Sequence, residues 1–79
     1  MIVAGVVVET VEGAAARVAA RLVEVPGVEI QGGDGLRRLA AVISAEDAAA
    51  LDALGRKLVE GDEEILGVFP TYVGSDPEP

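Results

Sequence analysis

The chain has no cysteine and no histidine among its 79 residues. Disulfides are therefore impossible, and the usual zinc sites built from cysteine and histidine are excluded. The same absences remove the side chains that most often act as nucleophile or general base. Of the two serines, Ser44 is predicted to cap a helix and Ser75 lies near the end of the chain, so neither is a candidate nucleophile. The sequence therefore predicts a protein that is not an enzyme, with no catalytic residue, no metal and no cofactor.

Aromatic residues and positive charges are also scarce. Phe69 and Tyr72 are the only aromatic residues, so the core must be built from Val, Leu, Ile and Ala. Six Lys and Arg against 14 Asp and Glu give a net charge of −8. A field of this sign repels nucleic acid phosphates and anionic membrane surfaces, and it attracts cationic partners. We expect no nucleic acid partner, although the acidity can also serve solubility alone.

Long hydrophobic runs are missing as well. The chain opens MIVAGVVV, and this uncharged run stops at Glu9. A membrane span needs roughly 20 apolar residues, and a secretory leader needs a positive start, whereas the first basic residue here is Arg17. We therefore expect a cytoplasmic protein without membrane insertion, and the Val-rich run predicts a buried first strand over residues 2–9.

The rest of the first half predicts a helix and a second strand. Apolar residues recur at helical spacing after Thr10, which can act as the helix cap, and Arg17, Arg21 and Glu24 fall on the opposite side. The stripe consists of Val11, Ala15, Val18, Leu22 and Val25. Pro26-Gly27 ends this helix. The next strand alternates, with Val28 and Ile30 inward and Glu29 and Gln31 outward.

The glycine-rich segment GGDG, residues 32–35, predicts a hairpin turn. Its rival is a phosphate-binding loop, which needs a helix immediately after it, whereas residues 36–43 resemble a strand. A second helix follows, capped by Ser44, with Leu51, Leu54 and Leu58 as its buried stripe and an end at Gly61. The acids over residues 60–64 predict a solvated turn before a last strand, residues 65–73.

The resulting order, β-α-β-β-α-β, is typical of the α+β ferredoxin-like fold. Right-handed crossovers would place both helices on one face of a four-stranded antiparallel sheet with strand order 4-1-3-2. The last strand then lies at an edge, where Pro70 is tolerated. We expect one domain over residues 1–74 and a flexible acidic tail over residues 75–79.

The face of the sheet without helices is predicted to be apolar. Charged side chains are disfavoured in an apolar core, so Arg38 and Glu9 should point outward and mark the outward side of the third and first strands. In the last strand, Leu66, Val68 and Tyr72 are expected inward, and Val73 is expected outward. The outward set that forms the candidate peptide-binding surface is Val3, Gly5, Val7, Glu9, Arg38, Ala40, Val42, Gly67, Phe69 and Thr71. Small residues in it should let a helix approach closely. Exposed apolar surface of this kind marks either a partner site or a dimer interface, and the pattern does not separate the two.

Four segments, in this order, resemble the NapD family of small cytoplasmic chaperones, which serve the catalytic subunit of the periplasmic nitrate reductase. They are VVVE (Val6–Glu9), VPGVEI (Val25–Ile30), LAAVISAED (Leu39–Asp47) and ILGVFPTY (Ile65–Tyr72). The similarity covers nearly the whole chain. Family members often carry His after the closing Tyr, where this chain has Val73.

The resemblance implies the ferredoxin-like fold and a definite partner, the twin-arginine leader of a nitrate reductase catalytic subunit. Family members bind that leader and are thought to delay export until the molybdenum cofactor has been inserted into the client. Glu9, Glu29 and the acids around Asp62 are candidates to pair with the leader's arginines. The alternative is an ACT-like or AsnC-tail-like regulatory domain, which shares the topology and forms a homodimer through its sheet. A metallochaperone of this fold would need a pair of cysteines.

Overall fold

The computed structural model describes residues 1–75, and of Ser75 it describes the backbone only. Of the predicted acidic tail, residues 76–79 lie outside the described part of the chain. The elements are β1 (Ile2–Thr10), α1 (Ala15–Leu22), β2 (Val28–Gly33), β3 (Arg38–Ala45), α2 (Ala48–Gly61) and β4 (Ile65–Ser75). Within residues 1–75, neither helix is long and apolar enough to cross a membrane.

The four strands form one antiparallel sheet in the order β2-β3-β1-β4. This is the predicted order 4-1-3-2 read from the other edge, and the ferredoxin-like α+β fold is confirmed. β4 lies at an edge, so Pro70 is placed where a missing N–H is tolerated.

The core lies between one face of the sheet and the two helices. Ala4, Val6 and Val8 alternate inward along β1 and are at most 4% exposed. The other buried apolar residues are Ala14, Ala15, Val18 and Leu22 around α1, Leu39, Ala41 and Ile43 of β3, Leu58 of α2, and Ile65 of β4. Because the chain offers few large side chains, alanine brings helix and sheet close together, and the inward phase predicted for β1 and β3 is confirmed.

Both predicted helix caps are wrong. Thr10 is the buried last residue of β1, and its hydroxyl donates to the carbonyl of Val11 at 2.9 Å, so α1 begins at Ala15 without a side-chain cap. Ser44 belongs to β3. The cap of α2 is Asp47, whose carboxylate accepts from the N–H of Ala50 at 2.8 Å, as expected for an Asp at this position.

The β2–β3 hairpin is confirmed at the GGDG segment. The Oδ1 atom of Asp34 accepts from the backbone N–H groups of Leu36, Arg37 and Arg38 at 2.9, 2.9 and 3.0 Å. These three donors, the Leu36 N–H most strongly, hold the pKa of the Asp34 carboxyl below its usual value. The backbone N–H groups of the loop thus donate to the loop's own carboxylate. The element after the loop is a strand, not the helix that a phosphate-binding loop needs.

A second turn connects α1 to β2 through Gly27. Its φ of +86° lies in the left-handed region that favours glycine. The Gly27 carbonyl accepts from the N–H of Ser44 at 2.8 Å, so the turn is fixed to the end of β3.

Two arginines of α1 form ion pairs with the segment that precedes β4. Arg17 Nη2 lies 2.6 Å from Glu64 Oε2, and Arg21 contacts both Asp62 Oδ2 and Glu64 Oε1 at 2.8 Å. Side chains of the two acids are only 16% and 28% exposed. The interpretation of residues 60–64 as a merely solvated turn is therefore wrong for Asp62 and Glu64, although Glu63 is exposed.

We expect Glu64→Gln to lower the melting temperature at neutral pH and to weaken its dependence on acid. Hydrogen bonds from Arg17 and then Arg21 lower the pKa of Glu64 from 4.5 to about 2. The stability that this carboxylate contributes is complete above its unfolded pKa and is lost as the pH falls toward about 2. Thermal melts between about pH 5 and pH 2 should therefore show a smaller loss for the variant than for the wild type.

Glu63→Gln is the matched control for this series because it removes the same charge from the neighbouring exposed residue. It should follow the wild-type acid profile closely. Parallel profiles for wild type and Glu64→Gln would mean that the ion pairs do not persist in solution.

Candidate functional site

The face opposite the helices carries the outward residues of β1 and β3 in register. Across the two strands, Glu9 lies opposite Arg38, Val7 opposite Ala40, Gly5 opposite Val42, and Val3 opposite Ser44. Side chains directly opposite one another point to the same face of an antiparallel sheet. The structure thus places all the predicted β1 and β3 residues on one surface, called the open face below.

β4 adds Gly67, Phe69 and Tyr72 to the open face. These residues lie opposite Glu9, Val7 and Gly5 of β1. Gly67 and Phe69 are placed as predicted. Tyr72 is not, because the sequence predicted it inward, whereas its side chain is 55% exposed.

Two bulges in β4 explain the errors in its phase. Thr71 is inserted between the pairs that Pro70 and Tyr72 make with β1, and Leu66 is inserted in the same way near the start of the strand. An extra residue reverses the facing of the residues after it in the strand. Tyr72 therefore points outward, and Val73 lies opposite the inward-facing Ala4. Leu66, predicted inward, is 59% exposed.

Thr71 is the extra residue of the second bulge along β4. Its hydroxyl donates to the carbonyl of Gly5 at 3.0 Å and stabilises the irregular pairing of β4 with β1. Thr71 was predicted to bind the partner, but its hydroxyl donor is already used in linking β4 to β1.

The aromatic rings lie over the two glycines of the open face. A Cβ built on Gly5 would overlap the Tyr72 ring, and one on Gly67 would lie 2.6 Å from Cζ of Phe69. Glycine thus makes room for rings that rest on the backbone, an arrangement known as aromatic rescue. The expectation that small residues let a helix approach closely is wrong at Gly5 and Gly67, which the rings cover, whereas Ala40 is exposed. At the two glycines a partner would meet half-exposed ring surfaces.

The charged groups of the open face lie beside this apolar centre. Glu9 Oε2 is 3.8 Å from Arg38 Nε, a loose pair between partly exposed side chains. Glu29 of β2 lies opposite Val42 of β3, so its exposed side chain also belongs to the open face. Asp62 and Glu64 are already paired with the arginines of α1.

Tyr72 is the aromatic residue of the open face that the sequence interpretation missed. The signal that could have found it is the presence of two strand glycines and two aromatic residues in paired strands. Gly5 and Gly67 each needed a covering ring, and Phe69 alone could cover only one of them.

Chemically, the open face combines an apolar centre with charged side chains. Valine and aromatic side chains form its centre, and Glu9, Glu29 and Arg38 supply charge at its margin. Within residues 1–75, no group of three or more side chains is arranged to hold a metal ion. No protein-family model, curated protein or solved structure matches the chain.

Proposed function

We propose that the protein is a cytoplasmic chaperone that binds the twin-arginine leader of a nitrate reductase catalytic subunit on the open face. By binding the leader, it would delay export until the client has received its cofactor. The observation that carries the proposal is an apolar, aromatic sheet face bordered by carboxylates. The resemblance of four segments to the NapD family supports a twin-arginine leader as the partner.

The apolar part of the leader is matched by the centre of the open face. Val7 and Val42 are half-buried, while Phe69 and Tyr72 keep 54% and 55% of their surfaces exposed. Each Å² of apolar surface removed from water contributes about 25 cal/mol to association before ordering costs are subtracted. The two rings can contribute the most, because they combine exposed area with few rotatable bonds.

The arginine pair of the leader is matched by carboxylates. A net charge of −8 attracts a cationic peptide over long range, and a carboxylate can accept two parallel N–H bonds from a guanidinium. Glu29 is the better candidate, because Glu9 already lies near Arg38. A leader arginine that binds Glu9 must first displace that side chain.

The test is an amide-shift NMR titration of the labelled protein with a synthetic leader that carries Arg-Arg before its apolar segment. A control peptide has Gln-Gln instead. We expect shifts on β1, β3 and β4 with the leader and weaker binding of the control. Absence of shifts with either peptide at high micromolar concentration would refute the proposal.

Glu29→Gln should weaken leader binding about two- to fivefold, the range of an exposed ion pair worth roughly 0.5–1 kcal/mol. Glu24→Gln is the matched control, because it removes the same charge from an exposed position outside the sheet. The control peptide should bind Glu29→Gln and wild type equally. Equal weakening by both variants would point to net charge rather than to a contact at Glu29.

A second copy of the chain is the competing occupant of the open face, as in an ACT-like or AsnC-tail-like domain. Light scattering at the concentrations of the titration distinguishes a monomer that binds the leader from a dimer of the chain. A mass near 8.0 kDa together with leader binding supports the chaperone. A dimer that the leader does not dissociate, with the open-face amides unaffected by peptide, contradicts it.

A further inference from the structure

A separate cleft opens on the other face of the sheet, between α2 and the strands β1 and β4. Its volume is about 420 Å³, within the range of small-molecule sites. The strands contribute Val6, Val68, Pro70 and Val73, and the helix contributes Leu51 and Val59. All of these side chains are aliphatic, so the interior offers no hydrogen-bonding side chain and suits a hydrocarbon.

Gly55, in the middle of α2, forms part of the wall. Glycine inside a helix costs about 1 kcal/mol relative to alanine. Close packing does not explain the glycine, because a Cβ at this position would meet nothing within 4 Å. A larger residue would project into the cleft, so the glycine keeps this space open at a cost to the helix.

Among the described residues that line the cleft, the one cation is Arg56, which lies beside Asp52 on the same helix. The two side chains form an ion pair through a single guanidinium nitrogen, Nη2, and both are more than two-thirds exposed. Exposed pairs four residues apart on a helix are worth only about 0.3–0.5 kcal/mol. Arg56 therefore has N–H donors to offer a second carboxylate at little cost.

We propose that this cleft binds an aliphatic carboxylate, with the hydrocarbon chain against the sheet and α2 and the carboxylate on Arg56. The site is independent of the open face, since the two lie on opposite sides of the sheet. No function stated above requires it.

Octanoate is the probe, at low millimolar concentration in an amide-shift titration, with octanol and octylammonium as comparison ligands. We expect octanoate to shift amides of α2 and of β4 around Pro70, and to bind about three- to tenfold tighter than octanol. Arg56→Gln should reduce octanoate to the level of octanol. Equal binding of all three ligands would overturn the role of Arg56.

Gly55→Leu tests the cleft itself, because the new side chain should fill it. The variant should melt at a higher temperature, since leucine favours helix, and should lose octanoate binding. Ala49→Leu is the control, because it places the same side chain at an exposed position of the same helix. Unchanged octanoate binding in Gly55→Leu, shifts confined to the open face, or no shifts in the wild type would each overturn the proposal.

Discussion

Val7→Glu is expected to leave the protein folded and to abolish leader binding, whereas Val8→Glu is expected to prevent folding. The two residues are neighbours on opposite faces of β1. Val7 is half-buried on the open face between Ala40 and Phe69. Val8 is 0% exposed and lies between Leu39 and Val68 in the core.

The energies differ because the two carboxylates would meet different surroundings. At position 8 an unpaired charge would have to be buried, which costs several kcal/mol. A domain of this size has a total stability of about 4–12 kcal/mol, so that cost removes most of it. At position 7 the carboxylate can reach water, but it places a charge in the middle of the apolar surface proposed for the leader.

Circular dichroism melts and the leader titration measure the two effects together. Val7→Glu should keep the wild-type spectrum with a modestly lowered melting temperature, and Val8→Glu should show no cooperative transition. An unfolded Val7→Glu beside a folded Val8→Glu would mean that the facing of β1 is reversed. A folded Val7→Glu that still binds the leader normally would remove the open face from the proposed function.

Gly27→Ala is expected to destabilise the fold by about 2–3 kcal/mol, which corresponds to a fall of roughly 10–20 °C in melting temperature. An L-residue at a φ of +86° costs about 1–2 kcal/mol by itself. The added Cβ would also lie 2.8 Å from the carbonyl oxygen of Ser44. That oxygen belongs to the backbone of β3, so it cannot move aside as a flexible side chain could.

Gly13→Ala separates these two contributions. Gly13 has nearly the same φ, +84°, but a Cβ there would meet nothing within 4 Å. Its loss of stability should therefore reflect the backbone conformation alone and be about half that of Gly27→Ala. Equal losses in the two variants would show that the turn at Gly27 adjusts to relieve the contact with β3.

The order of elements and strands was predictable because local signals agreed along the chain. The glycine-rich hairpin, the apolar stripes of the helices and the position of Pro70 all indicated one topology. Arg38 and Glu9 were sufficient to assign the faces of β3 and β1, since a charged side chain in a small aliphatic core is strongly disfavoured.

The facing of β4 was less predictable because it depends on bulges. No local pattern marks Thr71 as an inserted residue, and its hydrogen bond to Gly5 joins positions 66 residues apart. The ion pairs of Arg17 and Arg21 likewise join distant segments. Contacts of this kind become visible only when the topology places the two segments side by side.

The irregular path of β4 has a consequence for assembly. An exposed strand edge is a template for strand addition and aggregation, and bulges and proline on an edge discourage it. Pro70 and the bulge at Thr71 occupy the middle of the free edge of this sheet. Extension of the sheet into fibre-like assemblies is therefore impeded at β4, and the six-residue β2 is the only other edge of the described sheet at which chains could join backbone to backbone.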